Sequence, residues 1–182
     1  MKKAEEFLRK AWGGQVWDKG FQVTITFMEG RADRQLACQI LKAKLEQLNP
    51  KFKVDVRPIL WSTYLRDQSA GKLPIVNARW GLDFPDPHNA VHPFLHSSGN
   101  YSKVQGYRNP KADELIEKAW REGNLDKRRK LYAELQRIAQ EDLPTIFTLD
   151  TYNFMVHRKW VKGWTYNPVM MYGYLYPVSK AE

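Results

Sequence analysis

Cysteine is nearly absent from this sequence. Cys38 is the single one among 182 residues, so no internal disulfide can form. It lies in an amphipathic helical pattern, where a small buried hydrophobe with an inert thiol is the expected role. No apolar run approaches the roughly 18 residues that carry a helix across a bilayer. Met1-Lys2-Lys3-Ala4-Glu5-Glu6 lacks the apolar stretch of a secretory signal. Taken alone, the chain therefore reads as cytosolic or as part of a longer exported protein. A glycine-rich phosphate cradle and a dinucleotide fingerprint are both missing, which excludes the commonest nucleotide sites. Internal repeats and low-complexity stretches are missing too, which excludes solenoids and arrays. Acidic residues are in deficit, 20 against 29 basic ones, for a formal charge of +9. Such a charge attracts anionic partners. The basic residues are nevertheless spread along the chain. Their densest cluster, Lys127-Arg128-Arg129-Lys130, sits in a helical pattern that also carries acids, which argues for a solvated face and against nucleic acid.

What is present specifies a globular α/β chain. Hydrophobic residues make up 43% and aromatics 13%, enough for one good core and too much for disorder. Residues 3–12 have a helical pattern that Gly13-Gly14 ends, and a loop with Trp17 and Gly20 follows. Phe21, Val23, Ile25 and Phe27 alternate with polar residues as a strand. A helix over 32–48 carries Leu36, Ile40, Leu41, Leu45 and Leu48 at helical spacing, and Asn49-Pro50 stops it. Phe52, Val54 and Val56 make a second strand that Pro58 ends or places at an edge. Ser62 is the expected N-cap of a short helix, and a third strand covers about 73–79. This β-α-β-α-β order predicts a partly parallel sheet with right-handed crossovers. Residues 81–109 read as long and irregular, and a connection of that length is usually functional. Asn109-Pro110 and Asn124 open two more helices. Thr145–Leu149 reads as a fourth strand, with further extended pieces near Phe154–Val156 and Trp160–Trp164. The tail from Asn167 to Val178 is aromatic (Tyr172, Tyr174, Tyr176) without periodicity.

The third strand delivers the stretch Arg79-Trp80-Gly81-Leu82-Asp83-Phe84-Pro85-Asp86-Pro87-His88-Asn89. Two prolines stiffen it, and each pushes its predecessor into extended backbone. One carboxylate, Asp83, stands between Trp80 and Phe84. A strand end with apolar walls and one charge is where an open α/β sheet holds a ligand. The same residues would also serve a surface turn whose aspartates cap backbone N–H groups. As a binding site, Asp83 would take a ligand ammonium. Trp80 would wall the pocket, and Arg79, Gly81 and Leu82 would offer main-chain groups to a peptide.

Other constellations carry less. His88, His92 and His96 are four apart and on a continuous helix would share a face able to hold a metal. Pro87 and Pro93 argue against that helix, so independent histidines are expected and no metal is assigned. Asp83 and Asp86 lack a defined separation for a hydrolase pair.

Several segments together resemble the family 5 (peptide/nickel-type) solute-binding proteins of ABC importers. Trp80 to Asn89 is similar to that family's W-x-A-D-Y-P-D-P-x-N. Gly106-Tyr107-Arg108-Asn109-Pro110 with Asp113-Glu114-Leu115 is similar to G-Y-S-N-P-x-x-D-x-L. Arg128, Leu131-Tyr132 and Gln136 match R-x-x-L-Y-x-x-x-Q, and Trp61 to Leu65 fits W-x-x-Y. The resemblance implies a type II periplasmic-binding-protein-like lobe, α/β with a mixed sheet flanked by helices. It implies a binding protein and not an enzyme, without a cofactor. Residues 1–150 would be the C-terminal ligand-binding lobe. Residues 151–182 would be a closing tail packed on an N-terminal lobe outside this chain, or self-associating where exposed. The partners implied are a small peptide and a membrane permease, and the location is periplasmic or at the cell surface. The family's carboxylate role falls on Asp83. Leu82 stands where alanine is usual, which leaves oligosaccharide or nickel chelate open as ligands. Lobe closure about a hinge before Phe21 and near Thr145–Asp150 is the implied mechanism. Half a clamp predicts weak binding by this chain alone.

Overall fold

Strand alternation from Phe21 is the feature on which the first half is built. The computed structural model describes residues 1–149, 154–167, 170 and 173–181. The chain divides into two compact units, Met1–Arg79 and Trp80–Glu182.

In the first unit α1 (Lys2–Lys10), a 3-10 turn (Ala11–Gly14) and α2 (Gln15–Lys19) lead into β1 (Phe21–Met28). α3 (Ala32–Leu48), β2 (Phe52–Ile59), α4 (Trp61–Ser69) and β3 (Ile75–Asn77) follow. The strand order is β2-β1-β3, and both pairings are parallel, with Phe21 opposite Phe52 and Ile25 opposite Ile75. Right-handed crossovers leading away from β1 and then back past it place α3 and α4 on opposite faces. Ile25, Phe27, Cys38 and Val54 are the buried core, with Leu41, Leu45 and Val56 packed against them. Cys38 is buried as its pattern required.

Local differences from the sequence reading have physical causes. Trp17 lies in α2 and not in a loop, and its carbonyl accepts from Asn49 Nδ2 at 2.9 Å. Leu36 and Ile40 are exposed, because Cys38, Leu41 and Leu45 are the α3 residues that meet the core. α4 begins at Trp61 after extended Leu60, so Ser62 lies inside the helix and is not its N-cap. Pro58 stays within β2, where an edge strand tolerates its missing N–H.

The second unit holds α5 (Pro87–Leu95), α6 (Asn100–Gln105), α7 (Pro110–Arg121) and α8 (Leu125–Asp142). Leu95, Ala112, Ile116, Ala119, Tyr132, Leu135, Ile138 and Ala139 form its core. α5 and α6 occupy the stretch read as irregular. Asp86-Pro87 is the same N-cap and N1 pair as Asn109-Pro110, and Asp86 accepts from the His88 N–H at 2.8 Å. Gly106, left-handed at φ 70°, ends α6.

Thr145–Leu149 is not a strand among the described residues; Ile146, Phe147 and Leu149 are exposed. Strand-like composition reports fit to a pleated neighbour, and that neighbour is wanting here. Further on, β4 (Val161–Lys162) and β5 (Ser179–Lys180) pair antiparallel as a separate ribbon. Gly163, at φ 75°, leaves no room for a Cβ beside the Pro177 carbonyl, which fixes glycine at that corner. The readings placed on Asp150, Tyr152 and Tyr172 fall outside the described residues.

Candidate functional site

The sheet order sets where a site belongs. From β1 the chain steps to β2 on one side and then to β3 on the other. β1 and β3 are thus parallel neighbours whose following loops both leave from C-terminal strand ends, the kind of position where open α/β sheets take ligands. β3 ends at Asn77, and exposed Arg79 closes the first unit. Burial, then the charge of Arg31, holds the Arg34 guanidinium below its ordinary value, and Arg79 adds to this.

Trp80 opens the second unit, followed by exposed Gly81, Leu82, Asp83 and Phe84. The two aspartates of the stretch have separate tasks. Asp86 is the structural one. It caps α5 and takes a two-pronged grip from Arg128 on α8, with both bonds at 2.8 Å. Arg128 also donates to the Ala119 carbonyl at 2.9 Å and the Tyr132 hydroxyl at 3.1 Å. Its guanidinium holds the Asp86 carboxyl below the usual carboxylate range, the direct hydrogen bond being the larger cause. Arg128 is thus turned inward, which the solvated-face reading of its cluster did not foresee. Its neighbour Arg129 pairs with Asp126 on the surface. The capping alternative holds for Asp86 and does not extend to Asp83.

Asp83 carries no ion pair among the described residues. Its contacts run to Asn89, in the first turn of α5. The Asp83 N–H donates to Asn89 Oδ1 at 2.9 Å, and Asn89 Nδ2 lies 3.5 Å from Asp83 Oδ2. Asn89 holds Trp80 as well: the indole Nε1–H donates to its main-chain carbonyl at 2.8 Å, with Oδ1 at 3.3 Å. The expectation that Asp83 is sandwiched between aromatics is not met within this chain, since it and Phe84 are exposed. Trp80 is half-buried, edge-on to Phe94 and Tyr101, which stack on each other at 4.7 Å.

His88 and His92 share a face of α5, contrary to the expectation from Pro87 and Pro93, and His96 follows as the C-cap with extended backbone. Pro87 sits at the helix start, and Pro93 is accommodated inside α5. Ring centroids are 5.1 Å apart for His88–His92 and 4.6 Å for His92–His96. Burial lowers the pKa of His88 and His92. His92 and His96 stack nearly parallel while His88 is tilted against His92, and among the described residues no group of three potential ligands could hold a metal ion.

The other matched motifs are braces. Asn109 caps α7 through Oδ1 and donates through Nδ2 to Asp142 at 2.8 Å, where the Tyr107 hydroxyl also donates at 2.6 Å. Burial first, and then this bond, pushes the Tyr107 phenol up to about 12. Asp113 receives the Ser97 N–H and hydroxyl at the corner after α5.

Comparison with known proteins bears on the family and the fold. The family model for bacterial extracellular solute-binding proteins, family 5 Middle, matches residues 1–102. The periplasmic oligopeptide-binding protein OppA of Haemophilus influenzae is 25% identical over 128 residues, covering 69% of this chain and 23% of that protein. Heme-binding protein A of the same organism is 30% identical over 122 residues, covering 65% and 22%. The chain thus spans less than a quarter of these relatives' length. The structure of H. influenzae OppA with the peptide RPPGFSPFR superposes on 100% of this chain and 34% of its own, at a TM-score of 0.80 and 18% identity. At that identity the superposition establishes the fold.

Proposed function

The chain belongs to the bacterial extracellular solute-binding proteins of family 5, and from that premise we propose that it supplies the ligand-binding lobe of an ABC importer's peptide receptor. Residues 1–150 form that lobe, and 151–182 form a tail that closes on a second lobe. Asp83 receives the α-ammonium of a di- or oligopeptide. Trp80 walls the pocket, while Arg79, Gly81 and Leu82 face the peptide main chain. Closure of the second lobe then removes water from the Asp83–ammonium pair and strengthens it. The receptor works outside the cytoplasm and delivers its peptide to a membrane permease.

One observation carries the reading. Asp83 is an exposed carboxylate on a tethered backbone, left without a cation among the described residues while its neighbour Asp86 is fully engaged. The test is a chemical-shift titration of the protein with trialanine and with N-acetyl-trialanine, a method that reads weak binding. Acetylation is expected to weaken binding about tenfold, the loss of one charge-assisted contact. Asp83→Asn is expected to erase that difference. Equal affinity for the two peptides in the unsubstituted protein would sink the role given to Asp83.

A further inference from the structure

Pro93 has no N–H, so the helical ladder of α5 leaves the Asn89 carbonyl, four residues earlier, without its usual donor. That carbonyl takes the Trp80 indole instead. The side chain of the same residue takes the Asp83 N–H and sets its amide nitrogen beside the Asp83 carboxylate. One asparagine therefore anchors both members of the proposed ligand contact. The anchor is itself fixed, because Asp86 caps the turn that carries it and Arg128 pins Asp86 to α8.

We propose that Asn89 is the positioning residue for ligand-amine recognition, holding the Asp83 carboxylate and the Trp80 indole on one common anchor. It touches no ligand and acts through Asp83. The inference rests on the reading of Asp83 as the partner of the peptide amine. It adds that the amine preference is set from α5 and not by the loop alone. A loop carrying two aromatics and two prolines could otherwise settle in several arrangements, each presenting the carboxylate differently. A carboxylate already oriented loses less freedom on binding and so binds more tightly.

The experiment has a ligand-free arm and a ligand arm, both on the intact chain. In the first, the Trp80 indole N–H resonance is assigned by its disappearance in Trp80→Phe, and its exchange with solvent is timed. In the unsubstituted protein this exchange is expected to be about tenfold slower than in a free indole, the protection of one part-buried hydrogen bond. Asn89→Ala keeps the main-chain carbonyl and loses only the side-chain acceptor at 3.3 Å, so its exchange is expected to stay within about twofold of the original rate. In the second arm, the trialanine to N-acetyl-trialanine affinity ratio is measured for each variant. It is expected to fall several-fold in Asn89→Ala, which frees the Asp83 N–H and carboxylate, and to be largely restored in Asn89→Gln, which keeps an uncharged amide. An unprotected indole in the unsubstituted protein overturns the anchor. An unchanged affinity ratio in Asn89→Ala overturns its action on Asp83. Equal loss of the ratio in Asn89→Ala and Asn89→Gln reduces Asn89 to a structural residue and also overturns it. Failure of the functional reading is distinguishable, since the unsubstituted protein would then show a protected indole and no amine preference at all.

Discussion

Arg128→Ala is expected to cost about 3 kcal/mol of folding stability, read as a lower midpoint in urea denaturation. The pair is well inside the range where geometry counts, with the Arg128 and Asp86 side chains 18% and 28% exposed. Breaking a buried ion pair typically costs about 3–5 kcal/mol because the remaining charge is stranded, and partial exposure pulls the figure to the low end. The loss is compounded by the Ala119 carbonyl and Tyr132 hydroxyl, which Arg128 also serves. Arg128→Lys keeps the charge and loses the two-pronged fork, so about half the loss is expected. The pH dependence has a definite sign. The Asp86 carboxyl is lowered in the folded protein. Its stabilising effect is therefore present above the unfolded-state value of about 4 and is lost as pH falls through the lower folded value. The gap between wild type and Arg128→Ala is full at neutral pH and closes in acid below about 4. A gap of equal size at both ends of that range would show that the pair contributes nothing through its charge. Peptide binding should weaken in parallel, since Asp86 holds the turn that carries Asn89.

Gly99→Ala is the second change with a large expected effect. Gly99 is buried at the N-terminus of α6, with an ordinary negative φ of −64°. Nothing about its backbone demands glycine. A Cβ there would nevertheless overlap the His92 carbonyl oxygen and approach the Pro93 carbonyl at 2.8 Å. Both are main-chain atoms of a helix and cannot swing aside as a side-chain tip would. The turn between α5 and α6 must shift, at a cost of about 3 kcal/mol, the upper part of the range for overpacking. Thermal denaturation measures it. Gly123→Ala is the control, because a Cβ at Gly123 meets nothing within 4 Å. A loss no larger at Gly99 than at Gly123 would refute the close approach.

The two cases mark how far the chain could be read directly. Phe21–Met28 and Ala32–Leu48 come out with the bounds that alternation and helical spacing predict. Asn109 and Asn124 cap α7 and α8 through their side chains, as their types require. These features depend on residues within about four positions of one another, and the local backbone rules act at that range. α5 was equally legible in principle, since Asp86-Pro87 repeats the signal of Asn109-Pro110. Pro93 reads as a break and yet lies inside α5. A proline inside a helix costs about 3 kcal/mol in isolation, and here Leu95 and the α7–α8 core hold the helix together. The freed Asn89 carbonyl is then put to use by Trp80.

By itself, the sequence determined the β-α-β-α-β unit and the family, and it singled out the stretch from Arg79 to Asn89; that both pairings of the sheet are parallel, where a partly parallel, mixed sheet is expected, is a finding of the structure. Periodicity, caps and motif order are written along the chain, and short-range sterics and hydrogen bonding suffice to decode them. Only the tertiary structure decided which of two neighbouring aspartates is a brace and which stays exposed without an ion pair among the described residues. It also decided that Arg128 points inward and that Gly99 must be glycine. The reason is distance along the chain. Arg128 reaches Asp86 across 42 residues, and the choice between that bond and water depends on how α7 and α8 pack. Packing of that kind is a property of the assembled core and of no local segment.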